Sequence, residues 1–244
     1  MVTLLTVLAL LLAPALARAE SPMERAQALI SNYQKDLTRV DQARDILTES
    51  LKTDSRVEAM ILLSRIHFIW GDVRAKSKEE KLDAYDRGRK LGERAVELAP
   101  KDPEAHFWYA TNTGRWGQTK GVLRSLFLLP TVEEELETIF SLAPEHAGAH
   151  VLAGNVKYEV PRFFGGGVKK AEEHFSKALE IDPKFTAARV GLARVLIKKK
   201  KYENAREELQ RVLDEKEPRN LAAWTVKHAP RARKLLESIK DKTS

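Results

Sequence analysis

The chain has 244 residues, of which 43% are hydrophobic and 32% charged, with no cysteine and a formal net charge of +7. This composition excludes an intrinsically disordered chain, and the missing cysteine excludes disulfides, thiolate metal sites and a cysteine nucleophile. The mild excess of positive charge slightly favours anionic partners.

The first segment, Met1 to Ala19, is an apolar run that ends in the letters ARA. We interpret it as a secretory signal peptide with an A-x-A cleavage site, so the mature chain is expected to begin at Glu20. The run lacks a basic start, which leaves a retained anchor as the alternative. It is shorter than the roughly 20 residues of a membrane-spanning helix. Residues 20–244 are then predicted to form one helical-repeat domain of an exported protein, periplasmic or secreted.

A short sequence motif recurs where predicted helices end: AVELAP ending at Pro100, IFSLAP ending at Pro144 and ALEIDP ending at Pro183. Pro218 follows, and the four prolines are 44, 39 and 35 residues apart. This spacing approaches the roughly 34 residues of a tetratricopeptide repeat. The pattern therefore predicts an all-α protein in which antiparallel helix pairs stack as a superhelical solenoid.

In chain order, the sequence predicts a capping helix pair, four repeats and a closing helix. The capping pair covers residues 23–52, the repeats cover 57–100, 103–144, 147–183 and 186–217, and the C-terminal capping helix covers 222–239. The last repeat is the most regular, because Ala193 and Ala205 lie where its two helices touch. The closing helix is expected to cover the open end of the stack.

The earlier repeats have long insertions between their helices. The segment from Gly114 to Pro130 is about ten residues longer than a standard turn. It carries apolar side chains that we expect to be buried, namely Trp116, Phe127, Leu128 and Leu129. Two hypotheses remain for this segment: a local core beneath an inserted loop or short helix, or a lid and docking surface for a partner.

The repeats, the long insertions, the N-terminal signal and the segment PRFFGGGVKKA from Pro161 to Ala171 together resemble the T component of tripartite ATP-independent periplasmic (TRAP) transporters. Regulators of microtubule dynamics have a similar helical repeat. The resemblance to the T component implies a periplasmic helper that can form homo-oligomers and dock on a solute-binding protein, without catalysis. The chain departs from that family because it lacks the cysteine that anchors its lipoprotein members.

No residue pattern predicts catalysis, a cofactor or a metal site. His146 and His150 have the i, i+4 spacing of a ligand pair, but they lack a zincin pattern and straddle the turn at Pro144. The run Gly165 to Gly167 lacks the Gly-Lys-Ser/Thr ending of a phosphate-binding loop and fits a turn with positive φ. The basic run Lys198 to Lys201 fits a solvated turn better than a nucleic-acid site. We therefore expect neither an enzyme nor a nucleic-acid partner.

Stacked helix pairs form a concave groove from the first helix of each repeat, and such grooves bind extended peptides. The groove positions of the tetratricopeptide family fall on Arg65, Phe68, Phe107, Thr111, Arg115, Asn155, Tyr158, Val190 and Arg194. Arginines among aromatic rings suit a carboxylate-bearing ligand or an acidic peptide. The predicted function is a non-catalytic scaffold for a protein or peptide partner. The alternative is an accessory protein of a TRAP-type transporter that binds a small organic ligand.

Overall fold

The computed structural model describes residues 20–243, so the signal peptide predicted for residues 1–19 lies outside this range. The described residues form helices joined by short turns and contain no β-strand, which confirms the all-α prediction. None of the described helices combines the length and the apolar character that crossing a bilayer requires.

The helices follow one another as stacked pairs. In chain order they are α1 (Pro22–Ser31), α2 (Thr38–Ser50), α3 (Val57–Val73), α4 (Lys78–Leu98), α5 (Pro103–Lys120), α6 (Val122–Phe127), α7 (Leu129–Leu142), α8 (Ala147–Glu159), α9 (Val168–Ile181), α10 (Thr186–Lys198), α11 (Tyr202–Asp214), α12 (Leu221–Ala223) and α13 (Ala229–Ser238). A 3₁₀ turn (Arg162–Phe164) precedes α9, and a π-helical stretch (Trp224–His228) joins α12 to α13. The main pairs are α1 with α2, α3 with α4, α5 with α7, α8 with α9 and α10 with α11.

Local chemistry explains where several helices begin and end. Ser21 and Ser77 each form a capping box with the glutamate three residues later, which satisfies backbone N–H groups at the starts of α1 and α4. Helices α4, α7 and α9 end before the recurring prolines, with Ala99, Ala143 and Asp182 as their C-terminal caps. The residue before a proline is disfavoured in the helical region, so the motifs found in the sequence stop each helix.

Glycines let neighbouring helices approach around large rings. Phe175 of α9 is fully buried, and a Cβ atom built on Gly154 of α8 or Gly191 of α10 would lie only 2.7 or 2.3 Å from its ring. A Cβ atom on Gly71 of α3 would likewise lie 2.5 Å from the ring of Tyr85. Because nothing larger than hydrogen fits at these positions, the rings fix the distance between stacked helices.

The apolar side chains of the insertion divide into two sets: Trp116, Leu128 and Leu129 are half-buried, whereas those of α6 are largely exposed. Helix α5 continues to Lys120 and α6 follows directly, with no buried residue of its own. Val122, Leu123 and Phe127 are 71%, 85% and 72% exposed. The expectation that Phe127 is buried is therefore wrong, because α6 leaves the stack after Gly121. The φ of Gly121 is 133°, a backbone conformation that glycine adopts readily and other residues rarely do.

We expect Gly191→Ala to lower the free energy of unfolding by about 1–3 kcal/mol, because the added methyl group overlaps the Phe175 ring. Gly114→Ala is the matched control, since Gly114 also lies inside a helix but its added Cβ would be 4.0 Å from Val132. Alanine there should stabilise the protein by about 0.5–1 kcal/mol through helix propensity. Urea unfolding followed by circular dichroism measures both variants, and effects of the same sign would contradict the packing account.

His67 introduces a pH dependence into the stability of α3. It is only 6% exposed, and burial, reinforced by the charges of Arg44 and Arg87, lowers its pKa from 6.5 to about 4. Between these two pH values the unfolded chain binds a proton that the folded chain does not. Stability is therefore lost as the pH falls through this window.

From His67 alone we expect the free energy of unfolding to fall by about 2 kcal/mol between pH 7 and pH 5. Burial also lowers the pKa of His228 to about 4, so His67→Gln should remove about half of the histidine-linked loss. Urea titrations at both pH values test this expectation. A variant that loses as much stability as the parent protein would show that His67 is not the titrating group.

Candidate functional site

The centre of the candidate site is Asp72, a carboxylate near the end of α3 whose side chain is 5% exposed. It forms ion pairs with Arg115 of α5 and with Lys227 of the π-helical stretch. Its Oδ1 also accepts a hydrogen bond from Tyr85 Oη at 2.7 Å. The Arg115 guanidinium lies 5.4 Å from the centre of the Tyr85 ring. One carboxylate thus joins the first two repeats to the C-terminal helix.

The neighbouring groups decide which charges this cluster carries. Burial raises the pKa of Asp72, but the charges of Lys227 and Arg115, with hydrogen bonds from Lys227 and Tyr85, hold it well below its usual range. Burial lowers the pKa of Arg115, but Asp72 raises it above its ordinary value. Burial and the Asp72 charge both raise the pKa of Tyr85. At neutral pH the cluster therefore holds one carboxylate, two cations and a neutral tyrosine.

A row of rings follows the face between α3, α5 and α8. The centres of Phe68 and Trp108 are 5.7 Å apart, those of Trp108 and Phe107 are 4.9 Å apart, and those of Phe107 and His146 are 4.8 Å apart. The Arg65 guanidinium lies 5.8 Å from the Trp108 ring, and burial lowers its pKa. Within residues 20–243 Arg65 makes no ion pair. It is a partly desolvated cation held against an aromatic surface, on which the charge of Glu104 acts without forming an ion pair. A further carboxylate could pair with it.

A second group of cations surrounds Tyr158 on α8. The Arg194 guanidinium lies 4.2 Å from the centre of this ring, and Lys198 Nζ lies 4.8 Å from it. Arg194 also forms an ion pair with Glu159 and donates to Asn155 Oδ1 at 3.4 Å.

Arg231 of α13 stands beside this second group. Burial, followed by the positive charges of Arg194 and Arg115, lowers its pKa. Neither Arg231 nor Lys198 makes an ion pair with any residue in the described part of the chain. The second group therefore carries more positive than negative charge.

The C-terminal helix supplies part of this surface. Ala222 of α12 is fully buried in the N-terminal core with Ile30, and Lys227 Nζ lies 5.3 Å from the centre of the Phe68 ring. His228 Nδ1 is 2.8 Å from Thr186 Oγ1 of α10, and α13 then packs on α11. The sequence places this helix only at the open end of the stack, whereas in the structure it also crosses to α1 and α3.

Seven of the nine residues proposed from the sequence lie in these two groups. The first group is the Asp72 cluster together with the row of rings, and it contains Arg65, Phe68, Phe107 and Arg115. The second group, around Tyr158, contains Asn155, Tyr158 and Arg194. Thr111 and Val190 are 6% and 5% exposed. They pack between helices, offer no surface to a partner and are dropped from the candidate site.

The sequence analysis missed Asp72, Trp108, Lys227 and Arg231. Trp108 could have been found because it neighbours Phe107 on the same predicted helix and adds a second ring. Asp72 and Lys227 are 155 positions apart, and no local pattern predicts a contact over that separation.

His146 and His150 have different partners. His146 caps α8 by accepting a hydrogen bond from the Ala149 backbone at 2.9 Å, and its Nε2 is 3.0 Å from Glu104. His150 Nδ1 lies 3.2 Å from His174 Nδ1. Within residues 20–243 no group of three or more histidine, aspartate or glutamate side chains is placed to hold a metal ion.

Stacked helix pairs with a polar and aromatic face define the class: a tetratricopeptide-repeat protein. The tetratricopeptide repeat family matches residues 166–239. A thermophilic TPR protein of Thermus thermophilus has the same fold, with a TM-score of 0.63 and 18% sequence identity. The match covers 84% of this chain and 98% of that chain.

Within this class, the chain belongs to the family of regulator of microtubule dynamics proteins 1-3, which matches residues 23–163. Regulator of microtubule dynamics protein 3 of Bos taurus is 27% identical over 195 residues, covering 68% of this chain and 41% of the relative. Regulator of microtubule dynamics protein 2 of Homo sapiens is 27% identical over 177 residues, covering 62% and 43%. The chain thus spans about two fifths of the length of these relatives.

These relatives overturn the prediction of an exported protein. They are regulators of microtubule dynamics from animals, whose cells have no periplasm. The periplasmic or secreted location inferred from residues 1–19 is therefore wrong. Neither the resemblance to the T component nor a periplasmic solute-binding partner is supported by these relatives, whereas the tetratricopeptide repeat is.

We expect Asp72→Asn to lower the free energy of unfolding by about 1–3 kcal/mol, because the buried carboxylate would no longer neutralise Arg115 and Lys227, whose side chains are 43% and 35% exposed and thus partly screened by water. Asp83→Asn is the matched control: it removes an ion pair with Arg87 on α4 in which both side chains are 64% exposed. The control should cost less than about 1 kcal/mol. Urea unfolding measures both, and equal losses would show that the Asp72 cluster does not hold the repeats together.

Proposed function

We propose that this chain is a non-catalytic scaffold that binds an acidic segment of a partner protein along the groove formed by α3, α5, α8 and α10. The fold and the family support the scaffold class. The chemistry of the partner is inferred from the charges in the groove. The observation that carries the proposal is the set of three cations without an ion pair: Arg65 and Lys198 beside aromatic rings, and Arg231 close enough to Arg194 for their charges to interact.

Unpaired cations next to rings favour carboxylates for two reasons. The rings remove water from the guanidinium and ammonium groups, so that an incoming carboxylate meets a charge that is less well solvated than at an open surface. A charge-assisted hydrogen bond to such a group contributes roughly 1.5–3 kcal/mol. An extended segment with several acidic residues could engage both cation groups at once.

The groove already shows how it holds carboxylates. Glu159 pairs with Arg194 beside the Tyr158 ring, and Asp72 pairs with Arg115 beside the Tyr85 ring. Each internal carboxylate thus meets an arginine that also lies on an aromatic face. We infer that acidic residues of a partner would use the same combination at the cations that remain unpaired.

The alternative function is an accessory protein of a solute transporter that binds a small organic ligand. A cleft of about 400 Å³ lies between α6 and the turn at Val160 and Pro161. This cleft is open to solvent and is not lined by the row of rings, whereas small organic ligands bind in sites that enclose most of their surface. The acidic-segment proposal therefore has the stronger support.

We expect the full chain to bind a fluorescein-labelled, glutamate-rich peptide and not to bind a glutamine-rich peptide of equal length. Arg231→Glu should weaken binding of the acidic peptide about 10- to 100-fold, because it replaces an attractive charge by a repulsive one without breaking an internal ion pair. Fluorescence anisotropy measures the affinities.

The matched control is Lys201→Glu, which makes the same change in net charge at an exposed turn residue. Its affinity should stay within about twofold of the parent protein at moderate salt. Equal weakening by both variants would mean that the peptide responds only to net charge, and unchanged affinity for Arg231→Glu would refute the groove as its site.

A further inference from the structure

A second surface of the protein combines exposed apolar side chains with unpaired cations. Val122, Leu123 and Phe127 of α6 are 71%, 85% and 72% exposed. Phe163 and Phe164 of the 3₁₀ turn are 91% and 49% exposed. Such large apolar side chains are normally covered, and their clustering marks an interaction site.

The two segments lie on one side of the molecule. The cleft of about 400 Å³ is lined on one wall by Gly121 and Val122 and on the other by Val160 and Pro161. The phenylalanines follow Pro161 directly, so α6 and the 3₁₀ turn form the two rims of the same cleft. We call these rims, residues 120–127 and 161–170, the apolar rims.

Positive charge accompanies the apolar rims. Lys120 and Arg124 lie 5.3 and 5.8 Å from the centre of the Trp116 ring, and neither makes an ion pair in the described part of the chain. Arg162 and Lys170 are exposed as well. No acidic residue occurs in residues 114–132 or 160–171. The surface is therefore positively charged, which favours an occupant that carries negative charge.

We propose that the apolar rims dock the protein on a membrane surface that contains anionic lipids. Leucine, valine and phenylalanine on short projecting segments can insert between lipid headgroups, while the neighbouring lysines and arginines stay at the level of the phosphates. The tryptophan between those cations suits the interface, where its ring is apolar and its N–H polar. This arrangement would place α6 and the 3₁₀ turn at the level of the lipid headgroups.

Individually projecting side chains favour a lipid surface over a second protein. The most exposed, Leu123 and Phe163, protrude from opposite rims of a cleft. A protein partner would have to match both rims with one preformed apolar surface, whereas a fluid lipid layer adapts to them. The excess of cations selects anionic lipids.

Co-sedimentation of the full chain with vesicles tests the proposal. Phosphatidylcholine vesicles with one third phosphatidylserine should sediment the protein at low salt, and pure phosphatidylcholine vesicles should sediment much less. The double variant Lys120→Gln, Arg124→Gln should reduce partitioning about 25-fold, from about fivefold for each charge removed. The double variant Leu123→Ser, Phe127→Ser should reduce it at least about tenfold, because less apolar surface can be inserted.

Two matched controls accompany these variants. Lys78→Gln with Lys81→Gln removes two exposed cations from α4, and Leu98→Ser removes an apolar side chain that is 45% exposed elsewhere. Both should sediment like the parent protein.

Failure to sediment with the anionic vesicles would overturn the proposal, as would equal losses in the rim variants and their controls. Analytical ultracentrifugation gives a further test. A parent protein that dimerises, with Leu123→Ser and Phe127→Ser making it monomeric, would assign the apolar rims to self-association and refute membrane docking.

Discussion

The arrangement of the groove depends on the ion pairs of Asp72. This carboxylate is almost completely buried, and its charge is stable only because Arg115 and Lys227 share it. Its two partners come from the second repeat and from the far end of the chain. Breaking such a cluster is far more costly than breaking an exposed ion pair. Together with the burial of Ala222 in the N-terminal core and the contact of His228 with Thr186, this side chain holds the C-terminal segment across the stack.

This constraint also shapes the surface offered to a partner. Asp72 of α3 pairs with Lys227, and in the same C-terminal segment the charge of Arg231 interacts with that of Arg194. The C-terminal segment therefore adds Lys227 and Arg231 to the cations that the first helices of the repeats supply. The proposed preference for acidic segments follows from this excess of positive charge.

The helical architecture could be predicted from the sequence because it rests on local patterns. The recurring motifs before Pro100, Pro144 and Pro183 stop helices through the geometry of proline, and the alanines at 193 and 205 are fully buried as their spacing requires. The first-helix positions of the repeat also placed Arg65, Tyr158 and Arg194 in the candidate site.

The rest could not be predicted because it depends on contacts between distant residues or on what is left uncovered. The pair of Asp72 and Lys227 has no local signature. Thr111 and Val190 are buried between helices, and the position of a residue within the repeat does not by itself show whether it faces the groove or a neighbouring helix. Phe127 has a large apolar side chain of the kind that is usually buried, yet α6 projects from the stack and leaves it exposed. The location was inferred from residues 1–19 alone, and family membership contradicted it.

The central claim, that an acidic segment binds between the two cation groups, can be tested directly with the tryptophan indole N–H signals. Trp108 lies in the groove beside Arg65, whereas Trp116 lies between Lys120 and Arg124 at α6. In heteronuclear NMR spectra assigned with single Trp→Phe variants, titration with the glutamate-rich peptide should shift the Trp108 signal in a saturable manner and leave Trp116 nearly unchanged. A shift confined to Trp116, with Trp108 unmoved, would contradict binding in the groove.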